Sequence, residues 1–310
     1  MTERRQIELD GLRLSFLEKG SASKDAPTLV LLHGLMGCAE TFAPLLDSLD
    51  PDLHVVALDF PGAGLSERRS DIDPSLEATA QHVHRVLVAL GIRKPILLGH
   101  SHGGAVALSL VARNREAVSS LILLAPAHPY FVEGDPLIRF YLSLPGRLFA
   151  YSMPWFPQWM QLAGLRRMAG KRSCDTPELL RPYRDNLRTP GTMAHLLRLL
   201  TSWKADFASL RKALRKRVTT PTLIVWGDYD RAVPVTSAQE LLSRLPQSRL
   251  VVLPGVGHRP AEEAPGHVAA LVRDWFETST AAESLRYTPK LSATQPRIAA
   301  LIPSNFEAGD

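Results

Sequence analysis

Cysteine is nearly absent from this chain. Only Cys38 and Cys174 occur among 310 residues, too few for a disulfide framework or a metal-binding Cys cluster, so a reducing, cytoplasmic location is expected. No run of 18 apolar residues exists, which argues against a spanning helix and against integral membrane association. The opening "MTERRQIELDG" lacks the apolar core of a signal peptide. Acidic residues are scarce in one region. From Arg166 to Arg217 there are 14 Lys or Arg against 4 Asp or Glu, although the whole chain carries only +5. The plain reading is a solvated basic helical surface, with an anionic substrate or lipid headgroup as the alternative. No nucleic-acid motif accompanies the charge, so no nucleic-acid partner is expected. Nothing in the sequence sets the oligomeric state.

What is present has a rhythm. "IELDGLRLSFLEKG" predicts a hairpin turning at Asp10-Gly11. "APTLVLLHG", with a turn at Pro27, "LHVVALDFPG", "PILLGHS", "SSLILLAPA" and "TPTLIVWGD" each hold a short apolar run without alternation, as strands buried on both faces do. Helices fall between them, one capped by Ser75 and stopped by Gly91, another following Ser101. This alternation predicts an α/β fold with a mostly parallel sheet covered on both faces. The rhythm lapses between residues 129 and 217, where an aromatic-rich stretch with nine of the 21 aromatic residues precedes a basic helical one. It resumes with "RLVVLPGVGH" and a last helix, "PGHVAALVRDWFETS". The expected organisation is a core over 1–128 and 218–280, an inserted helical cap over 129–217, and a flexible or surface-draped tail over 281–310.

The chemistry centres on "LLGHSHGG". Here "GHSHG" fits a Gly-x-Ser-x-Gly turn between strand and helix, where glycines clear space for a strained serine. A serine hydroxyl is a weak nucleophile without a base. His100 and His102 leave the turn in other directions, so the base is sought elsewhere. His258, in "LPGVGHRP", follows a buried strand at the same sheet edge. Asp230, in "WGDYDRAVP", follows another and can fix the His258 tautomer. Asp228 is the rival acid, with a turn-capping role as the plainer reading, and Asp59 is expected to be structural. The negative intermediate needs main-chain N–H donors, for which Leu35 in "LLHGLMG" and His102 are the candidates. His33 is expected to be a structural hydrogen-bonding residue. Met36 and Cys38 either touch substrate or pack locally. Clustered histidines raise the question of a metal, but no carboxylate shares the motif, and no metal or other cofactor is expected.

Together "HGLMG", "DFPGAGLS", "GHSHGG", "WGDYDRAVP" and "GVGHRP" resemble the α/β-hydrolase fold family, over about Leu9 to Phe276. The resemblance implies Ser101 as nucleophile, Asp230 as acid, His258 as base, Leu35 and His102 as oxyanion donors, and a helical cap over the cleft. Members that open epoxides or displace halide carry an aspartate where this chain has Ser101. The expected activity is hydrolysis of carboxylic esters with a hydrophobic acyl or aryl portion. Carbon–carbon bond hydrolysis, lactone or thioester cleavage and acyl transfer are alternatives, and a non-catalytic binding role is a minor one. A carbon–carbon hydrolase would need Arg166, Arg167, Arg188 or Arg198 to hold a second carboxylate. Phe131, Phe140, Tyr141, Phe149, Trp155, Phe156 and Trp159 are expected either to line an apolar pocket or to form the cap's own small core, with Met36 and His128 near the mouth.

Overall fold

The computed structural model describes residues 1–22, 28–131, 136–171, 176–216 and 218–285. The turn at Pro27, Cys174, the boundary at Arg217 and the tail beyond residue 285 lie outside the described residues. Eight strands form one sheet: β1 (Thr2–Leu9), β2 (Leu12–Lys19), β3 (Leu29–Leu32), β4 (Val55–Leu58), β5 (Ile96–His100), β6 (Ser120–Leu124), β7 (Thr222–Gly227) and β8 (Ser248–Leu253). Their order is β1-β2-β4-β3-β5-β6-β7-β8. The hairpin β1–β2 joins β4 antiparallel, and every pairing from β4 to β8 is parallel.

The unalternating runs have a direct cause. Along β3, Val30 and Leu32 enter one core while Leu29 and Leu31 enter the other. The same split divides Leu97 from Ile96 and Leu98, and Ile224 from Leu223 and Val225. A strand with helices on both faces has no solvent side on which to place polar residues. The first core is covered by α2 (Leu76–Ala89) and α3 (His102–Arg113). On the other face α1 (Ala43–Ser48) packs beside the closing helix. Ser75 caps α2 by accepting from the Ala78 N–H, as the Ser-before-apolar pattern requires.

Between β6 and β7 lie α4 (Pro136–Leu142), α5 (Leu144–Ser152), α6 (Gln158–Met168), α7 (Pro177–Arg188) and α8 (Thr192–Ala213). Helix α8 is long enough to do two jobs. Met193 and Leu197 join a small apolar cluster with Ala150 of α5, whereas Leu210, with Leu214 just beyond, is fully buried in the first core. Its far end thus supplies the covering helix that a parallel β6–β7 connection needs. After β7 come α9 (Ala238–Arg244), α10 (Pro260–Glu263) and α11 (Pro265–Leu285). Helix α11 runs five residues beyond the core boundary expected at 280. No glycine or proline interrupts "STAAESL", so nothing local stops the helix there.

Among the described residues no helix is long and apolar enough to cross a membrane.

Candidate active site

The turn after β5 is built by close approach. Ser101 sits at φ 50°, ψ −114°, a sparsely populated conformation worth about 1–3 kcal/mol of strain. A Cβ at Gly99 would lie 2.5 Å from the Gly103 carbonyl oxygen, and one at Gly103 would collide with the Leu32 carbonyl. The strain is held by the surroundings. Ser101 N–H donates to Leu124 O, and its carbonyl accepts from Gly104, Ala105 and Ala127.

Two further strand ends bring the partners. His258, after β8, places Nε2 2.9 Å from Ser101 Oγ and Nδ1 2.8 Å from Asp230 Oδ2. The Asp230 side chain is fully buried. Its Oδ1 accepts from the Ala232 and Val233 N–H groups at 2.8 and 2.9 Å, and Trp226 Nε1 donates to Oδ2 at 3.1 Å. An ionised carboxylate only accepts, so the His258 proton resides on Nδ1 and Nε2 is free to accept from the Ser101 hydroxyl. Asp228 is spent elsewhere, accepting from the Gly255 N–H at 2.7 Å.

The other histidines separate into distinct tasks. His100 is buried and donates from Nε2 to the His258 carbonyl at 2.8 Å. Burial, then the neighbouring His258, pushes its pKa down to about 3, which keeps it neutral. Its hydrogen bond ties it to the His258 backbone. His33 accepts from the Phe60 N–H at Nε2 and donates from Nδ1 to Gly34 O. The His102 ring packs on Phe60 and Trp203, with Nε2 buried and unpartnered. Burial also brings its pKa to about 3. Among the described residues no group of three or more His, Cys, Asp or Glu is set to share an ion.

The main-chain N–H groups of Leu35 and His102 have no protein acceptor among the described residues. Both residues line a small cleft together with Met36, Phe60, His195 and Leu199. Asn186 of α7 reaches over to fix the first loop, donating from Nδ2 to the carbonyls of Met36 and Gly37 at 2.9 Å. Cys38 is buried, and burial pushes its thiol up to about 12, so it packs locally. Asp59 accepts from Arg4, Ala39 and Leu65, a structural role.

The remaining sequence candidates are dispersed. His128 is a correction. It is fully buried, with Nε2 3.0 Å from Ser237 Oγ and its ring on Trp226, so it belongs to the core and not to the mouth. Phe131 packs on Phe207 and His128. Phe140, Tyr141, Phe149 and Phe156 stack edge to face or tilted in a chain within the cap. Trp155 and Trp159 lie largely exposed on its outside. Sequence reasoning missed Trp203 and Phe207, whose i, i+4 spacing on α8 was the available signal. It also missed Asn186, Tyr183, Glu262 and Glu263. Tyr183 donates to Glu262 Oε1 at 2.5 Å, and Arg259 to Glu262 Oε2. Glu263 accepts from the N–H groups of Gly170, Gly257 and Arg259. With the His258 N–H donating to Met168 O, these contacts tie the His258 loop to the cap.

A bound serine at a strand–helix turn, with a buried His–Asp pair at the ends of two neighbouring strands, defines a serine hydrolase on a parallel α/β sheet. Residues 27–265 match the α/β hydrolase fold family, and the chain belongs to it. It is similar to the uncharacterized hydrolase YugF of Bacillus subtilis, 25% identical over 273 residues, covering 88% of this chain and 97% of that one. Human monoacylglycerol lipase ABHD6 is 25% identical over 255 residues, 81% of this chain and 75% of that one. Among solved structures, a membrane phospholipase A described as a bacterial virulence factor superposes with a TM-score of 0.76 at 26% identity, covering 90% of this chain and 87% of that one.

Proposed function

We propose that the protein hydrolyses carboxylic esters with a hydrophobic acyl portion through an acyl-enzyme on Ser101. The observation that carries this reading is the continuous Ser101–His258–Asp230 hydrogen-bond chain beside two main-chain donors that meet no protein acceptor among the described residues. Ser101 Oγ attacks the ester carbonyl as its proton passes to His258 Nε2. The oxyanion is met by the Leu35 and His102 N–H groups, each contributing about 3 kcal/mol if it behaves as a typical donor of this kind. His258, charged and steadied by Asp230, returns the proton to the leaving alcohol. It then activates a water that releases the acid. Similarity to a monoacylglycerol lipase and to a phospholipase A supports an acyl ester as the substrate class.

Two of the four basic residues named for a second carboxylate are otherwise occupied, and the other two point to solvent. Arg188 donates to Pro154 O and lies over the Trp155 ring. Arg198 donates to the carbonyls of Ser70 and Ile72. Arg166 and Arg167 are exposed. This disfavours carbon–carbon hydrolysis of a diketo acid and leaves the ester reading in front. The test is a fluorophosphonate probe with a p-nitrophenyl acyl series. Labelling at Ser101 and hydrolysis abolished by Ser101→Ala are expected. A folded protein that neither labels nor cleaves any ester would refute the reading.

A further inference from the structure

Helix α5 is amphipathic in the wrong sense for a surface helix. Its inward residues are small: Gly146 and Ala150 are buried, and a side chain at Gly146 would collide with the Phe140 carbonyl of α4. Three of its outward residues are large and apolar. Leu144, Leu148 and Tyr151, at i, i+4 and i+7, are 74%, 66% and 50% exposed. Trp155 and Trp159 continue the surface at 68% and 70%. Scattered exposed apolar residues are ordinary, but a stripe at helical spacing that leads into two open tryptophans is not. The same segment is one-signed. From Arg139 to Lys171 there are five basic residues and no acidic one. Arg139, Arg147, Arg166 and Arg167 of this segment are all exposed, Arg147 on α5 itself.

We propose that α5, the Trp155 turn and the start of α6 form a docking face that seats this protein on the surface of an anionic lipid bilayer. The chemistry matches element by element. A nine-residue helix is too short to span a bilayer but can lie in its plane with the apolar side at the acyl boundary. Tryptophan and tyrosine suit the headgroup level, where one part of the ring system is apolar and another polar. Arginines flanking the stripe are drawn to anionic headgroups, and no carboxylate in the segment opposes them. A second copy of the chain is a poorer occupant. A two-fold contact through this face would set like charges together with no acidic partner from the same segment.

The inner side of this face reaches the cleft. Helices α4 and α5 rest on α8 through Tyr141, Ala150, Met193 and Leu197. Helix α6 rests on α7 and Met36 through Leu165, Leu180 and Tyr183. Docking would bring the cap, and the cleft beneath it, to the place where acyl lipids lie. The proposal concerns binding alone and stands whether or not the ester reading does.

The experiment is flotation of the whole protein with vesicles of phosphatidylcholine, with and without one-third phosphatidylglycerol, chosen as an anionic probe surface of about that composition. Thermal unfolding checks that each variant is folded. Flotation with the anionic vesicles is expected, weakened by added salt and weaker with phosphatidylcholine alone. Leu144→Asp/Leu148→Asp should lower partitioning by about tenfold or more, and Arg147→Glu should lower it only on anionic vesicles, both at an unchanged melting temperature. Wild-type protein that does not float, or a folded double variant that floats as well as wild type, overturns the proposal. So does a wild-type dimer in sedimentation that the double variant converts to monomer, because the face would then belong to a second copy.

Discussion

Replacing Asp230 by Asn tests the proposed chemistry at its least visible member. The carboxylate accepts from four N–H groups: two main-chain donors on Oδ1, and His258 Nδ1 and Trp226 Nε1 on Oδ2. An asparagine has one acceptor oxygen, and its amide nitrogen must face one of these donor pairs. If the nitrogen faces the loop, the Ala232 and Val233 N–H groups lose their acceptor. If it faces His258, the imidazole must accept at Nδ1, and its proton moves to Nε2 against the serine hydroxyl. That tautomer cannot take the serine proton. Either orientation also removes the negative charge that steadies the imidazolium. The expected loss in kcat is on the order of 10⁴, about 5 kcal/mol of transition-state stabilisation. The assay is kcat and KM for a soluble p-nitrophenyl ester, with Asp228→Asn beside it. The Asp228 carboxylate accepts from the Gly255 N–H, away from His258, and Asp228→Asn should retain activity within about tenfold. An Asp230→Asn enzyme within tenfold of wild type, or an Asp228→Asn enzyme equally impaired, would refute the assignment.

His102→Leu should keep hydrolysis within about tenfold, because the proposed donor is main-chain, and should raise the melting temperature by removing a buried, unpartnered Nε2 worth about 1–3 kcal/mol. A hundredfold loss in kcat would instead assign chemistry to the ring. Stability should fall as pH drops from 7.5 to 5.5. His100 and His102, pushed by burial to about 3, and His128 and His195, pushed by burial to about 4, stay neutral when folded but gain protons when unfolded below about 6.5. Stability is therefore full above the unfolded value and lost below it, by about 1 kcal/mol per histidine at pH 5.5. A urea midpoint that does not move between the two pH values would contradict this. Glu263→Gln keeps the shape but sets an amide nitrogen against a main-chain N–H on one side of the old carboxylate. It should destabilise by about 1–3 kcal/mol and lower kcat more than KM is raised, since the loop it holds carries His258; an unchanged urea midpoint would show that the carboxylate does not brace that loop.

The sheet was legible because burial on both faces writes itself into consecutive residues, as in Leu29 to Leu32. The turn at Ser101 was legible because its glycines are demanded by local clashes. Position in a loop just after a buried strand then led to His258 and Asp230. Asn186 had no such mark. It is one polar residue on a polar helix, and its meaning lies in the Met36 and Gly37 carbonyls far back in the chain. His100 was ambiguous for the same reason, because its acceptor is the carbonyl of His258. His128 stands beside the insertion in sequence, whereas its place in the fold is set by Trp226 and Ser237.

These distant contacts change what the cap is. The insertion is more than a roof added to a finished site. Here its main-chain groups at Met168 and Gly170 meet the His258 N–H and Glu263, and its Asn186 meets the loop of Leu35. Tyr183 of α7 reaches the buried Glu262–Arg259 pair. The cap therefore holds both the His258 loop and the loop proposed to carry an oxyanion donor, each through hydrogen bonds that would be lost in water-free surroundings if α6 or α7 moved away. Helices α4 and α5 carry no such ties among the described residues and rest on α8 by apolar contact. The cap thus divides by the physics of its contacts into a hydrogen-bonded inner part that belongs to the catalytic frame and an apolar outer part free to answer to whatever surface it meets.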